Sequence, residues 1–400
     1  MKSNCKLQTP NFKKSRRVLE FLEFGVWSLE FEVAPVKILL IRLRLIGDVV
    51  FTTPIPRALK RRWPDAKISY LVEEPAAPVL AGNPLIDELI VVKRRRGWRR
   101  IQDDLALAAR LRRNRYDIVL DLHGGPRSSW LTLATGASQR IGYAVPGRGW
   151  MYTATVSRPR ELRARHSVVN QWDLLQAIRS PLTRERYRPE WPDADPTSDA
   201  VEMPLDPHAD ARIERRLREA GVGFDDEVIV AHVSAGNPFR RWPEPAFIAL
   251  LTGLAQGGAR RRIIVSSGPS DRDAARRITA AARQHLPDGA GRIVEFGEFD
   301  LAELRALIGR SRVFIGGDTG PLHVAATTKT PVVGLYGPTL PARSAPWRDV
   351  TIPTWSLEVA GLPCRPCEQR VCAPGDFRCL TSLRPEDVIT AAEQALRWRP

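Results

Sequence analysis

Four hundred residues with 61 Lys and Arg against 45 Asp and Glu, a formal charge of +16, exceed what one ordinary hydrophobic core organises and point to two globular domains. So basic a chain suits polyanionic partners, whether nucleic acid, an anionic membrane or phosphorylated substrates, and charge does not choose among them. No apolar run approaches the roughly 20 residues that span a bilayer, so a soluble protein is expected. Four of the five cysteines crowd near the C-terminus, which does not read as a secreted disulfide framework, and a reducing cytoplasm is expected.

Residues 1–34 read as an extension. Lys13, Lys14, Arg16 and Arg17 precede a short apolar stretch that Glu20, Glu23, Glu30 and Glu32 interrupt, and no small-residue cleavage site follows, which argues against a signal peptide. A basic amphipathic segment can lie on a membrane surface; disorder is the plainer reading, and no role is assigned.

A first domain begins at Val36. Lys37 to Arg42 is a continuous apolar strand of the kind buried in a parallel sheet, Leu43 to Gly47 is a turn, and a helix opens at Asp48 and runs through Lys60. Asp48 thus falls at the carboxyl end of the first strand, where open α/β sheets bind ligands, and Gly47 allows close backbone approach. Strands over Lys67–Val72, Ile86–Val92 and Asp117–Leu122 follow, which with intervening helices means a doubly wound domain. Beyond the third strand Arg94, Arg95, Arg96, Arg99 and Arg100 cluster around Trp98, and His123 to Ser128 form the loop after the fourth, with Arg127 in it. These arginines are either a solvated face or guanidinium forks for phosphate or carboxylate groups.

From about Ser180 to Pro207 the chain is rich in Pro, Asp and Arg with little periodicity, as an interdomain linker is. Strands over Glu227–Val233 and Arg262–Ser266, a helix over Pro245–Leu254, a strand over Ile293–Phe296 and a helix over Leu301–Ile308 make a second Rossmann-like unit. The most informative stretch comes last. Val313 to Ile315 end at Gly316-Gly317-Asp318-Thr319-Gly320, Pro321 suits a first helical turn, Leu322–Thr328 is a small-residue helix, and Val332 to Tyr336 is a strand. A helix opening from a Gly-rich turn aims free N–H groups and its positive dipole end at the crevice, which suits a phosphate. The Thr319 hydroxyl and Gly320 N–H can donate to it, and His323 lies in the first turn. An ordinary strand-to-helix turn capped by Asp318 is the plainer alternative.

GGDTGPLHVAA followed by PVVGLYGPT resembles the donor-site signature of family 9 glycosyltransferases, the lipopolysaccharide heptosyltransferases. The similarity runs from about Val36 to Trp398 and includes IRLRLIGDVVFTTPIPRALKRRWPDAKISYLVE, DIVLDLHGGPRSS and SAGNPFRRWP. It implies an α/β protein of the GT-B fold, two Rossmann-like doubly wound domains facing each other across a cleft: an extension over 1–34, an acceptor-binding domain over 35–185, a linker over 186–207 and a nucleotide-sugar-binding domain over 208–400. The implied activity is an inverting, metal-independent transfer of heptose from ADP-heptose to the phosphorylated, acidic inner core of lipopolysaccharide or a related envelope glycan. No cofactor or metal is implied.

By position, the resemblance puts the catalytic base at Asp48, with helix capping as its alternative. It puts the donor-phosphate cation, usually a lysine, at Arg240 with Arg241 as rival, the diphosphate contacts at Thr319, Gly320 and His323, and the loop-shaping residue at Asp318. Asp271 or Asp273 would accept from the ribose hydroxyls, although SSGPSDRD departs from the family's acidic pattern. Arg95, Arg96 and Arg127 are the expected acceptor contacts. The expected partners are a nucleotide sugar and an anionic glycolipid, met by a monomer at the cytoplasmic face of the inner membrane, and not nucleic acid. A nucleotide-sugar epimerase is the nearer alternative. A polyanion-binding protein is the remoter one, since no nucleic-acid motif is present. Cys364, Cys367, Cys372 and Cys379 begin with a metal-like CxxC pair, but reduced thiols or a disulfide fit equally, and no metal is assigned.

Overall fold

The computed structural model describes residues 34–95, 97–157, 165–179, 190–286 and 288–399. The extension over 1–34, save Ala34, the linker residues 186–189 and Arg96 therefore lie outside the described residues. Val36–Pro400 forms one compact unit.

Two all-parallel six-stranded sheets organise it. The first contains β1 (Lys37–Ile41), β2 (Lys67–Glu73), β3 (Glu88–Val92), β4 (Ile118–Asp121), β5 (Gln139–Tyr143) and β6 (Ala154–Val156), in the order β3-β2-β1-β4-β5-β6. The second contains β7 (Glu227–His232), β8 (Arg261–Ser266), β9 (Ile293–Glu295), β10 (Val313–Gly317), β11 (Val332–Tyr336) and β12 (Thr354–Glu358), in the order β12-β11-β10-β7-β8-β9. Each sheet repeats the 3-2-1-4-5-6 pattern of the doubly wound fold, as expected. The central strands read as unbroken apolar runs because both faces are covered: Ile38, Leu39, Leu40 and Ile41 are all fully buried, as are Val313, Phe314 and Ile315.

This topology fixes where ligands go. Strand order reverses between β1 and β4 in one sheet and between β7 and β10 in the other, and ligands of open α/β sheets bind beyond the carboxyl ends of strands at such a switch point. The loops leaving those four strands are Arg42–Asp48, Leu122–Gly125, Val233–Arg240 and Asp318–Pro321. They carry Asp48, Arg240, Asp318, Thr319 and Gly320 of the residues singled out above.

Several elements differ from the sequence reading. The single helix expected from Asp48 to Lys60 is two, Ile46–Val50 and Pro54–Arg62, with turns over Phe51, Thr52 and Thr53. Pro54 and Pro56 supply no N–H to continue the first helix, so Pro54 opens the second. The arginine cluster leads directly into a long helix, Gly97–Arg113. Residues 190–206 hold no regular element but are firmly packed: Arg57 pairs with Glu202, Arg61 with Asp199, and Trp191 meets Trp63 edge-on at 5.7 Å. Among the described residues no helix is long and apolar enough to cross a membrane.

Candidate active site

Asp48 sits in the third position of the helix Ile46–Val50. Its Oδ2 accepts from Arg42 Nη2 at 2.6 Å and from the Leu45 N–H at 3.2 Å. The second contact is one half of a capping box; Leu45 has no side-chain acceptor to make the other half, so Asp48 caps only weakly. Burial in the cleft acts to raise the Asp48 pKa, but the Arg42 charge and hydrogen bond, the Leu45 N–H and nearby His323 together hold it below the ordinary carboxylate value. Arg42 is buried and also donates to the Leu122 carbonyl, so one guanidinium ties the ends of β1 and β4 to the carboxylate.

Across the cleft, Asp318 is buried and does not cap the helix Gly320–Ala326, whose N-cap is Thr319. Its Oδ2 accepts from the Thr339 hydroxyl and lies 3.4 Å from Arg240 Nη1, and its Oδ1 lies 3.4 Å from His323 Nε2. Burial pushes the Asp318 pKa up, yet His323, Arg240 and Thr339 outweigh it and bring it down to about 2. The capping alternative for Asp318 is thus replaced by a network role. It holds Arg240, whose Nη1 also donates to the Asp318 carbonyl at 2.7 Å. Phe51 contacts the His323 ring at 4.4 Å between centroids, bringing the two halves together.

Three adjoining cavities surround these groups. One of about 480 Å³ is lined by Asp48, Arg240, Asp318, His323, Thr339 and Gln369, among others. A second, about 780 Å³, shares Arg240 and runs past Asn237, Ser270, Glu298, Thr319 and Gly320 to an apolar floor of Phe299, Leu301 and Leu304. A third, about 290 Å³, opens on the β1–β4 side between Arg44, Glu73, Arg95, Arg100, His123 and Arg127. Among the described residues, the lining of this third cavity holds five arginines and a single carboxylate. Burial, then Arg42 and Arg44, lower the His123 pKa to about 4, so its ring is neutral at pH 7.

Not every expected residue faces a cavity. Of the rivals Arg240 and Arg241, the first lines two cavities, whereas Arg241 pairs with Asp271 at 2.8 Å and donates to the Ala235 carbonyl at 3.0 Å. Asp271 is buried and accepts from Ser234, Ser270 and Arg241, so its carboxylate braces the loop after β8 while Ser270 and Glu298 line the cavity. Arg127 lines the basic cavity, but its charge is already matched: it donates twice to Asp104 Oδ1, at 3.0 and 2.6 Å, and once to Glu73 at 3.3 Å. Arg95 is exposed and, among the described residues, pairs with Asp103 at 3.2 Å.

One residue escaped sequence reasoning. Gln369 Oε1 accepts from Asn237 Nδ2 and from Arg240 Nε, each at 2.8 Å. Its loop is pinned by Cys367 N–H to the Pro338 carbonyl at 3.0 Å and by Arg365 to the Thr339 carbonyl at 2.6 Å. Gln369 has a left-handed backbone, φ 59°, uncommon for a non-glycine residue and a mark of a constrained position.

Residues 105–374 match the family model described as glycosyltransferase family 9 (heptosyltransferase). Over 359 residues the chain is 27% identical to lipopolysaccharide heptosyltransferase 3 of Escherichia coli, covering 88% of this chain and 97% of that protein. Among solved structures, the glycosyl transferase family 9 protein of Veillonella parvula matches with a TM-score of 0.75 at 22% identity, over 92% of this chain and 98% of that one. E. coli ADP-heptose lps heptosyltransferase II matches with a TM-score of 0.70 at 20% identity, over 90% and 98%. At these identities the structural likeness establishes the fold.

Proposed function

The chain belongs to glycosyltransferase family 9, and on that premise we propose that it transfers heptose from ADP-heptose, with inversion and without a metal, to the acidic inner core of lipopolysaccharide. The observation that carries this reading is the arrangement around the cavity of about 480 Å³, with Asp48 held by Arg42 on one side and Arg240 and His323 on the other, and with the Thr319–Gly320 turn lining the adjoining cavity that shares Arg240. An inverting transfer needs those two poles. The acceptor oxygen forms its bond to the anomeric carbon as the bond to the diphosphate oxygen breaks, Asp48 takes the hydroxyl proton, and the cationic side receives the charge left on the diphosphate.

The other cavities suit the rest of the substrates. Phe299, Leu301 and Leu304 offer an apolar bed for the base, with Ser270 and Glu298 placed for ribose hydroxyls. Gln369, its amide oxygen held by Arg240 and Asn237, can turn its amide N–H toward a hydroxyl of the transferred sugar. The arginine-lined cavity suits phosphate or carboxylate groups of the acceptor, with Arg44, Arg95 and Arg100 as contacts and Arg127 as a brace. A nucleotide-sugar epimerase, which acts on one substrate, has no use for this second, basic cavity. The lipid-linked acceptor places the protein at the cytoplasmic face of the inner membrane, as a monomer in this reading. Incubation with ADP-heptose and a heptose-deficient core acceptor tests the proposal: mass spectrometry should show acceptor gaining one heptose with stoichiometric ADP. No transfer from ADP-heptose, with transfer from another nucleotide sugar, would redirect it.

A further inference from the structure

The helix Gly97–Arg113 is apolar on two sides. Leu107 and Leu111 are buried against the first sheet's core. Trp98, Ile101 and Leu105, spaced three and four residues apart, share another face, where they are 68%, 49% and 55% exposed. At 100° per residue, Trp98 lies opposite Leu107, so packing within the domain gives no reason for this second stripe. Large side chains scattered singly on a surface are ordinary, but an indole and two branched aliphatics aligned on one helix face mark a contact.

The surrounding charge says what kind of contact. From Lys93 through the end of the stripe at Leu105 the chain carries six basic residues and two acidic ones, Asp103 and Asp104, which pair with Arg95 and Arg100 and leave a basic excess. Among them Arg95 and Arg100 also line the basic cavity, so the stripe begins at that cavity's rim. A second indole is also exposed: Trp150, 67% exposed, follows Arg148, whose Nη2 donates to the carbonyl of Gly124 beside the cavity wall at 3.1 Å. Exposed Trp, Ile and Leu bordered by arginines are the elements of an interfacial segment, apolar groups entering the acyl boundary while guanidinium groups meet anionic headgroups.

We infer that the N-terminal half of the helix Gly97–Arg113 docks on an anionic lipid bilayer through Trp98, Ile101 and Leu105, with the basic cavity opening at the membrane surface. The docking rests on the proposed lipid-linked acceptor only for its purpose: an acceptor sugar could then enter the cavity while its acyl chains stay in the bilayer.

Flotation of the full-length protein with vesicles tests this without any acceptor. The wild type should float with phosphatidylcholine vesicles containing phosphatidylglycerol, float poorly with phosphatidylcholine alone, and be released by salt. The triple variant Trp98→Ser, Ile101→Ser, Leu105→Ser should lose vesicle partitioning by about tenfold or more and keep its melting temperature. It should also keep its turnover on a deacylated, water-soluble acceptor. Trp98→Ser alone should give an intermediate loss. Absence of wild-type binding to the anionic vesicles would overturn the inference, as would a triple variant that floats like the wild type. So would a change of oligomeric state with undiminished flotation, which would instead assign the stripe to a second copy of the chain. Failure of turnover on the soluble acceptor by the wild type would count against the proposed reaction and not against the docking surface.

Discussion

Gly47 and His323 are packed so closely that a Cβ on Gly47 would stand 2.3 Å from the imidazole Cδ2. The glycine that precedes the carboxylate Asp48 thus leaves room for the ring that faces Asp318. Gly320 is similarly confined, since its Cβ would meet Ile46 at 3.3 Å. The two short helices that carry the opposing poles of the cleft approach each other at glycines. Gly47→Ala should therefore push His323 off Asp318, lower turnover by about tenfold or more and cost about 1–3 kcal/mol of stability, as overpacking does. Gly291→Ala, at a position with open space, is the comparison. Equal turnover in the two variants would show that the close packing is without consequence.

Arg42 is expected to set the working range of Asp48. With Arg42→Gln, burial is no longer opposed by the main lowering influence, so the Asp48 pKa rises and the acid limb of the kcat profile moves upward. For stability the sign is that of a depressed carboxylate: the pair's contribution is present above the ordinary value of 3.8 and is lost as pH falls through the lower folded value. Because the Asp48 side chain is 39% exposed, the loss on substitution should be only about 1–2 kcal/mol. An unmoved acid limb would separate Arg42 from the titration.

Gln369 should distinguish a nucleotide sugar from its bare nucleotide. In Gln369→Met, which keeps length but not hydrogen bonding, calorimetry should show ADP-heptose binding weakened about tenfold and ADP binding changed by less than about twofold, the size of one hydrogen bond to the sugar. Equal losses for both ligands would mean that Gln369 acts only by holding Arg240.

Arg95 and Arg127, two of the five arginines lining the basic cavity, should part company. Arg95→Ala should raise the acceptor KM with little effect on melting, whereas Arg127→Ala leaves Glu73 and Asp104 without their shared partner and should destabilise by about 2–4 kcal/mol. Thermal melts and acceptor titrations of the pair decide it; similar behaviour of both would mean that the ion pairs of Arg127 are not structural.

Much of this was legible in the sequence, for physical reasons. Strands buried on both faces, such as KILLI and VFIGG, announce themselves as apolar runs, and the turns after them carry the glycines that ligands and close packing demand. The edge strands β6 and β12 were not read, because ATV and TWSLE are short and only partly buried. The arginines at 94–100 hid a helix start, since charge masked the three-and-four spacing of Trp98, Ile101 and Leu105. Pairings between distant residues leave no local mark: nothing around Arg127 announces Asp104, and nothing around Gln369 announces Arg240, 129 residues away. The rivalry of Arg240 and Arg241 likewise needed the fold, which turns one toward the cavity and the other onto Asp271.

In the proposed reaction, Asp48 accepts the proton of the attacking hydroxyl. Asp48→Asn keeps the size and most of the helix contacts of the side chain but cannot take a proton. Steady-state kinetics of this variant with ADP-heptose and core acceptor, beside calorimetry of ADP-heptose binding and a melting curve, is the direct test. The predicted result is a kcat lower by about 10² to 10⁴ with donor affinity within about twofold and a folded protein. A folded Asp48→Asn protein with undiminished turnover would contradict the claim.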